Sequence, residues 1–338
     1  MPNLTLFIPS LMPPAPDGSA GLSASRYPAL ERLLARGHAS SVDCAAMTAW
    51  LCGRFGVGRQ LDWPGAPIAL QGEGEDPGRE FWFRATPVHL RVQRDQLVLL
   101  PPALLAVTQA EAQAMMETLN RHFSADGLLF TAPHPQRWYL RTPAIPELHT
   151  VPLDAAIGRD INRLLPTGGD RMRYHHLFNE MQMLLHDHAV NESRERSDLL
   201  AINSIWFWEG GTLPAPASPS WRVVIGDDPL LKGLGRLADI PVASLSAGLA
   251  LPETGDTIVV LPESPAGDAA NWRAHMEKME QEWIRPILQK LRSGEIQRLE
   301  IVTVDSGQAR GWAVASRDLL KFWKPVAALE RQLGMADR

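Results

Sequence analysis

Two hydrophobic patterns share this 338-residue chain, and the way one interrupts the other limits what it can fold into. At the start, an apolar run at residues 4–8 ends at Pro9 and a helical period follows. Pro28 suits a first helical turn, and Leu30, Leu33 and Leu34 form an inner face that stops at Gly37. A second helix is expected over 45–55. After residue 200 the same alternation returns, with short apolar strands predicted at 221–225, 241–245, 257–261 and 299–304. A long helix over 268–291, bent at Pro286, separates the last two, and Ser316 is expected to cap a closing helix that runs through Trp323 to Leu329. Strand–helix alternation of this kind points to an α/β fold around a mostly parallel sheet.

The middle of the chain reads differently. The loops 13–16 and 18–21 are short, but 64–67 and 72–78 make a polar boundary rich in Pro and Gly. Beyond it lie extended segments at 81–84, 88–93 and 97–100, then a capping box formed by Thr108 and Glu111. Ala112, Met115, Met116, Leu119 and Phe123 supply the inner face of that helix. A hairpin of 128–131 with 137–142 follows Asp126-Gly127. The pattern predicts an inserted α+β domain at 68–145, with 1–67 and 146–338 forming the α/β core.

The stretch 179–214 joins the two patterns. It begins as an amphipathic helix with Leu177, Phe178, Met181, Leu184 and Leu185 on one side. No apolar period covers 191–196, which reads as a polar loop. An apolar strand at 202–208 comes next, closed by Gly210, Gly211 and Pro214. A loop held between a packed helix and a packed strand is well placed to bind a ligand. Asn191, Arg194 and Asn203 bring amide and guanidinium donors suited to an anion, although a plain solvated connection has the same composition. Lys232, in Lys-Gly-Leu-Gly after Asp227-Asp228-Pro229, falls near a predicted helix start and adds a mobile positive charge.

Composition closes off several function classes. A net charge of −5 and ordinary apolar content argue against a nucleic-acid binder. Two cysteines, Cys44 and Cys52, cannot build a disulfide framework or a metal finger. The apolar start is short, lacks a basic region and is broken by proline, and no run reaches the ~18 apolar residues of a membrane span. A cytoplasmic protein with no membrane partner is expected. Eleven tryptophans fall mainly on helical apolar faces, so they read as core anchors. His175-His176 and His186-Asp187-His188 are the histidine clusters; on a helix neither aims two nitrogens at one ion.

Several motifs together resemble the archaeal-type cofactor-independent phosphoglycerate mutases of the alkaline phosphatase superfamily. They are Val190-Asn191-x-x-Arg194 with Asn203 and the strand ending in Gly-Gly and Pro, then Leu231-Lys232-Gly233-Leu234-Gly235. The third is the Tyr27-Pro28-Ala29-Leu30-Glu31 helix, similar to that superfamily's "TPxLDxLAxxG" segment. A narrower bacterial group of phosphoglycerate-mutase-like or RpfE-type regulatory proteins is also similar. The resemblance implies an alkaline-phosphatase-like sheet with helices on both faces. It also implies that Asn191, Arg194, Asn203 and Lys232 line a cleft between the two lobes that takes a small phosphorylated or carboxylate ligand.

The same resemblance implies a two-metal centre, and here the chain departs from it. Such enzymes hold paired cations with Asp and His so that both the attacking and leaving oxygens of phosphoryl transfer are stabilised. Where an acid is expected after the first strand, this chain has Pro9-Ser10. Where the nucleophilic serine is expected, it has Asp43-Cys44-Ala45-Ala46-Met47, with Thr48, and less suitably Ser40, Ser41 or Cys44, as substitutes. The late strand ends Val304-Asp305-Ser306, and no histidine follows His275. The expectation is a phosphoglycerate-mutase-like pseudoenzyme with no catalytic residues and no metal, serving a regulatory or ligand-binding role. The alternative is an active phosphomutase or phosphatase for a small phosphorylated acid, using Mn or Zn.

Overall fold

The computed structural model describes residues 2–12, 26–44, 46–215, 219–252, 254–264, 269–305 and 307–333. The expectations for 13–16, 18–21, Ala45 and Asp268 lie outside them. The chain divides into two compact units, Met1–Leu51 with Ser218–Arg338, and Cys52–Ala217. The insertion is therefore larger than the 68–145 expected.

In chain order, β1 (Asn3–Ile8), α1 (Pro28–Arg36), β2 (His38–Val42) and α2 (Met47–Phe55) come first. Next are α3 (Gly65–Glu73), β3 (Phe81–Val88), β4 (Leu90–Gln93), β5 (Gln96–Leu99), α4 (Gln109–Phe123), β6 (Leu129–His134) and β7 (Arg137–Thr142). Then follow α5 (Leu153–Ala156), α6 (Arg171–His186), α7 (Ala189–Arg196) and β8 (Ser204–Gly211). The chain returns to the first unit with β9 (Trp221–Ile225), α8 (Pro229–Leu237), β10 (Val242–Ala243) and β11 (Asp256–Val260). It ends with α9 (Ala269–Met279), α10 (Arg285–Ser293), β12 (Arg298–Asp305), β13 (Gln308–Ala315) and α11 (Leu329–Gln332).

The first unit is built on a seven-stranded sheet in the order β10-β9-β11-β1-β12-β13-β2. The run from β10 to β12 is parallel, whereas β13 is antiparallel to both β12 and β2. Strand alternation divides β1 between two layers. Leu4, Leu6 and Ile8 join a core with Leu30 and Leu33 of α1 and with Trp272, Met276, Ile287 and Leu291 of α9 and α10. Phe7 points the other way and stacks on Trp50 of α2 at 4.9 Å between ring centroids. Helices thus cover both faces, as a parallel sheet requires.

The long helix predicted over 268–291 is interrupted by a π-helical turn at Glu280–Ile284, immediately before Pro286. Proline removes a donor from the i→i−4 ladder, and a wider turn accommodates the gap. The turn also positions Glu280, whose carboxylate accepts from Ala29 N at 2.7 Å and Leu30 N at 3.1 Å. These are orphan amides at the start of α1, where Tyr27 offers no side-chain cap. Pro28 sits in the first turn, as expected. The predicted closing helix does not form as one element. A short 3₁₀ turn, Ser316–Leu320, is followed by a loop, and α11 covers only Leu329–Gln332.

The second unit carries a four-stranded antiparallel sheet, β6-β7-β3-β8, and the β4–β5 hairpin. Its core gathers Phe83, Met115, Leu119, Phe123, Phe130, Leu140, Met181 and Phe207 from the strands, α4 and α6. β8 explains why the insertion extends past 145: it pairs with β3 rather than with the parallel sheet. Gly210 lies inside β8 rather than after it, and it must be glycine there, because a Cβ would come within 2.4 Å of the Phe83 ring. The Thr108–Glu111 capping box is present in full. No helix among the described residues is long and apolar enough to cross a membrane.

Glu280→Gln should lower the unfolding free energy by about 2–3 kcal/mol, because an amide oxygen can satisfy one α1 amide while its NH₂ opposes the other. Denaturant titration reads this, and an unchanged midpoint would remove Glu280 as the cap of α1.

Candidate functional site

In open α/β sheets ligands collect beyond the carboxyl ends of the parallel strands. In the first unit that edge carries Ser10 after β1, Asp305 at the end of β12, Asp227 after β9, and Pro262 after β11. Ser10 follows β1, where the resemblance implies an acid, and its hydroxyl donates to Asp305 Oδ1 at 2.6 Å. Leu11 N and Met12 N donate to the same oxygen, both at 3.0 Å, and Thr303 Oγ1 donates to Oδ2 at 3.1 Å. Asp305 is therefore engaged in holding the chain that leaves β1.

The neighbouring groups are similarly engaged. Asp228 caps α8 by accepting from Leu230 N and Leu231 N, so Lys232 does lie close to a helix start. Asp227 Oδ2 accepts from Leu245 N, and its Oδ1 lies 3.8 Å from Lys232 Nζ. Lys232 remains 39% exposed. His275 bonds at Pro262, and burial, reinforced by Lys278, holds its ring below the ordinary 6.5. The candidate nucleophiles are poorly placed for attack. Thr48 is buried in the first turn of α2, while Ser40 and Ser41 belong to β2. Burial pushes the Cys44 thiol up and raises Cys52 to about 12, so neither is a thiolate near neutrality. Among the described residues no group of three or more His, Cys, Asp or Glu side chains could hold a metal ion.

Asn191, Arg194 and Asn203 belong to the second unit and are not presented to a ligand. The segment 191–196 is not a loop but part of α7, whose first turn is capped by His188: its Nδ1 accepts from Val190 N at 3.2 Å. Burial keeps His188 below 6.5, in the neutral form this acceptor role requires. The helix escaped the periodicity because its eight residues bury little beyond Asn191 and Arg194. Asn191 Nδ2 donates to the carbonyls of Leu185 and Ile202, and its Oδ1 accepts from Ile202 N. Asn203 pairs in the same manner with both backbone groups of Leu90.

Arg194 is the most committed of the three, with its side chain 1% exposed. Nε donates to Leu200 O at 2.7 Å, Nη1 to Glu111 Oε1 at 2.7 Å, and Nη2 to Leu105 O. The guanidinium ties α7 to the start of α4 and to the segment before it. Its acid partner is Glu111, not the nearby Asp187 or Glu195. The anion kit read from the sequence is thus an internal hydrogen-bond hub. One part of it is legible in the sequence, where Thr108 and Glu111 read as a capping box.

Arg194→Met should destabilise the second unit by about 2–4 kcal/mol, moderated because Glu111 keeps some contact with water. Arg194→Lys should also destabilise it, because one ammonium cannot reach three separated acceptors. Burial alone would raise Glu111, but hydrogen bonds from Thr108 and Arg194 outweigh it and hold the carboxyl below its ordinary 4.5. Its contribution to stability is then complete above pH 4.5 and lost as pH falls through the depressed value. Arg194→Met should weaken that acid dependence in denaturation curves taken across the range; an unchanged dependence would detach Arg194 from Glu111.

No protein-family model matches the chain, and no curated protein does. Solved structures do. A cofactor-independent phosphoglycerate mutase from Thermoplasma acidophilum DSM 1728 aligns with a TM-score of 0.50 at 16% identity, over 98% of this chain and 95% of that one. The PH0037 protein from Pyrococcus horikoshii aligns with a TM-score of 0.53 at 12% identity, over 95% of this chain and 92% of that one. At such identities the likeness concerns the fold: the chain has the mostly parallel α/β fold of cofactor-independent phosphoglycerate mutase-like proteins.

Proposed function

We propose that this is a phosphoglycerate-mutase-like protein that has lost the two-metal phosphoryl-transfer centre and serves as a regulatory or ligand-binding protein, in the manner of the narrower bacterial group it resembles. The observation that carries the reading is the Ser10–Asp305 contact at 2.6 Å. A two-metal centre needs several unengaged carboxylates and imidazoles converging on one point. At the end of β1 this chain supplies a hydroxyl instead, and Asp305 accepts four hydrogen bonds from Ser10, Leu11, Met12 and Thr303. The donor set does not fit a pair of divalent ions, and no catalytic step is assigned through them.

A small phosphorylated or carboxylate ligand would meet the carboxyl edge of the parallel strands, where Lys232 is a half-exposed cation lying 3.8 Å from Asp227. The ammonium attracts an anion without fixing its orientation, so binding there is weak and charge-dependent. Asn191, Arg194 and Asn203 have no part in that contact.

Two measurements test the reading. Purified protein supplied with Mn²⁺ or Zn²⁺ should not interconvert the phosphoglycerate isomers, and should retain no metal after desalting, as read by elemental analysis. Metal-dependent turnover that disappears on Thr48→Ala would instead establish the enzyme. Calorimetric titration with phosphorylated three-carbon acids should give heat that Lys232→Ala abolishes; heat unchanged by that substitution would remove Lys232 from the site.

A further inference from the structure

We propose that the chain forms a two-fold dimer through β2, whose outer edge pairs antiparallel with the same strand of a second copy. β2 is the last strand of the seven-stranded sheet, and among the described residues no strand covers its other side. His38, Ala39, Ser40 and Ser41 are all exposed. The strand contains none of the devices that protect an edge from pairing: no lysine, no proline and no bulge.

The fold limits the register. Ala39 lies opposite Trp312 and Ser41 opposite Arg310, so Ala39 and Ser41 share one face while His38, Ser40 and Val42 share the other. Antiparallel pairing of two identical strands in one sheet keeps faces matched only when opposed residues have the same parity. A two-fold axis at Ser40 satisfies this. It sets Ser40 against itself, Ala39 against Ser41, and Gly37 against Asp43.

That register joins two charged groups that lack a counter-ion among the described residues. Arg36 is 5% exposed, and its Nε and Nη1 have no hydrogen-bond acceptor. Its Nη2 has a single long bond, 3.4 Å, to Phe322 O. A covered guanidinium without an anion is costly. Asp43 is exposed and forms no ion pair among the described residues. Pairing about Ser40 brings Asp43 of each copy beside Arg36 of the other, and the long arginine side chain can turn to meet it.

The ends of β2 complement each other in shape as well. At its start, Leu320, Phe322 and Trp323 stand 73%, 84% and 67% exposed. Lys321 Nζ lies 3.0 Å from His38 Nε2 there, fixing the aromatic loop beside the strand. Toward its other end runs an open groove of about 620 Å³ lined by 39–44, 307–312 and Gln332. The two-fold axis places the aromatic loop of one copy next to the groove of its partner. A stable interface buries about 800 Å² per partner. A five-residue edge falls short of this alone, but Phe and Trp contribute about 150–250 Å² each. The antiparallel two-fold thus commits the occupant to a second copy.

Sedimentation velocity over a concentration series should show a monomer–dimer equilibrium. Asp43→Lys, an exposed change expected to leave the melting temperature unaltered, should weaken the dimer at least about tenfold. Phe322→Ser with Trp323→Ser should do the same; if that pair fails to fold, Asp43→Lys and the cross-link decide. In a Cys44→Ser background, Ser40→Cys should form a disulfide dimer on mild oxidation, whereas Ser41→Cys, diagonal to itself, should cross-link poorly. A monomer at every concentration overturns the proposal, including one that sediments with phosphatidylserine vesicles. So does a dimer indifferent to Asp43→Lys, or one cross-linked through Ser41→Cys in preference to Ser40→Cys.

Discussion

Backbone amides at the ends of helices and strands must find acceptors, and in this protein acidic side chains supply many of them. Glu280 takes the first amides of α1. Glu31, fully buried, accepts from Leu329 N and Tyr27 N and pairs with Arg26 at 2.8 Å. Asp318 accepts from Ala315 N, Asp256 from Asn3 N, Asp228 from the start of α8, and Asp305 from the turn after β1. A carboxylate that accepts two or three backbone hydrogens has few lone pairs left for a cation. The distribution of acids in the first unit is therefore a structural solution before it is a chemical one. It also bears directly on the edge of the sheet where a reaction centre would be sought.

The second unit meets the complementary need, carbonyls without donors, with the opposite charge. Arg194 offers fixed, separated donors to two carbonyls and a carboxylate, and Asn191 and Asn203 act as surrogate strand edges. Side chains of this type bind anions when they face solvent and organise backbone when they do not. Sequence spacing is the same in both cases. Only burial separates them, and burial depends on α4 and on the segment before it, more than eighty residues upstream in the chain.

This distinguishes what the sequence disclosed from what it concealed. Features set by local chemistry were legible: the apolar run of β1, Pro28 at the start of α1, the Thr108–Glu111 box, the 137–142 hairpin strand, and Asp228 before α8. Those that depend on distant partners were not. β2 reads His-Ala-Ser-Ser-Val, with no apolar alternation, and forms only because β13 offers an edge. α7 is polar on nearly every side and is held by its cap and by Arg194. The residues after 316 show a helical apolar period, but the chain instead turns at Leu320 and leaves Phe322 and Trp323 outside the core. The insertion boundary was misplaced for a related reason: β8 resembles a buried parallel strand, yet its partner is β3. At the carboxyl edge, the residue types Pro9-Ser10 after β1 are legible in the sequence, whereas the engagement of Asp305 by Ser10, Leu11, Met12 and Thr303 is not.

A fold fixes where a ligand can be met, not what happens there. In a metal-dependent phosphoryl-transfer enzyme the carboxyl edge of the sheet must hold like charges in proximity, an arrangement stable only with its cations bound. Here the Ser10 hydroxyl faces the Asp305 carboxylate, and amides from the following turn occupy its other lone pairs. Under the function proposed above, no repulsion is left at this point for an ion to relieve. The edge can then be stable by itself. Stability gained this way works against catalysis, because a carboxylate that must first break four hydrogen bonds is a poor ligand and a poor base. Under the function proposed here, the features available for recognition are those still open to water: the half-exposed Lys232, loosely paired with Asp227 at the carboxyl edge, and the open β2 edge with its aromatic loop. The first suits a small anion. The second presents main-chain groups and apolar area, which only another polypeptide can match.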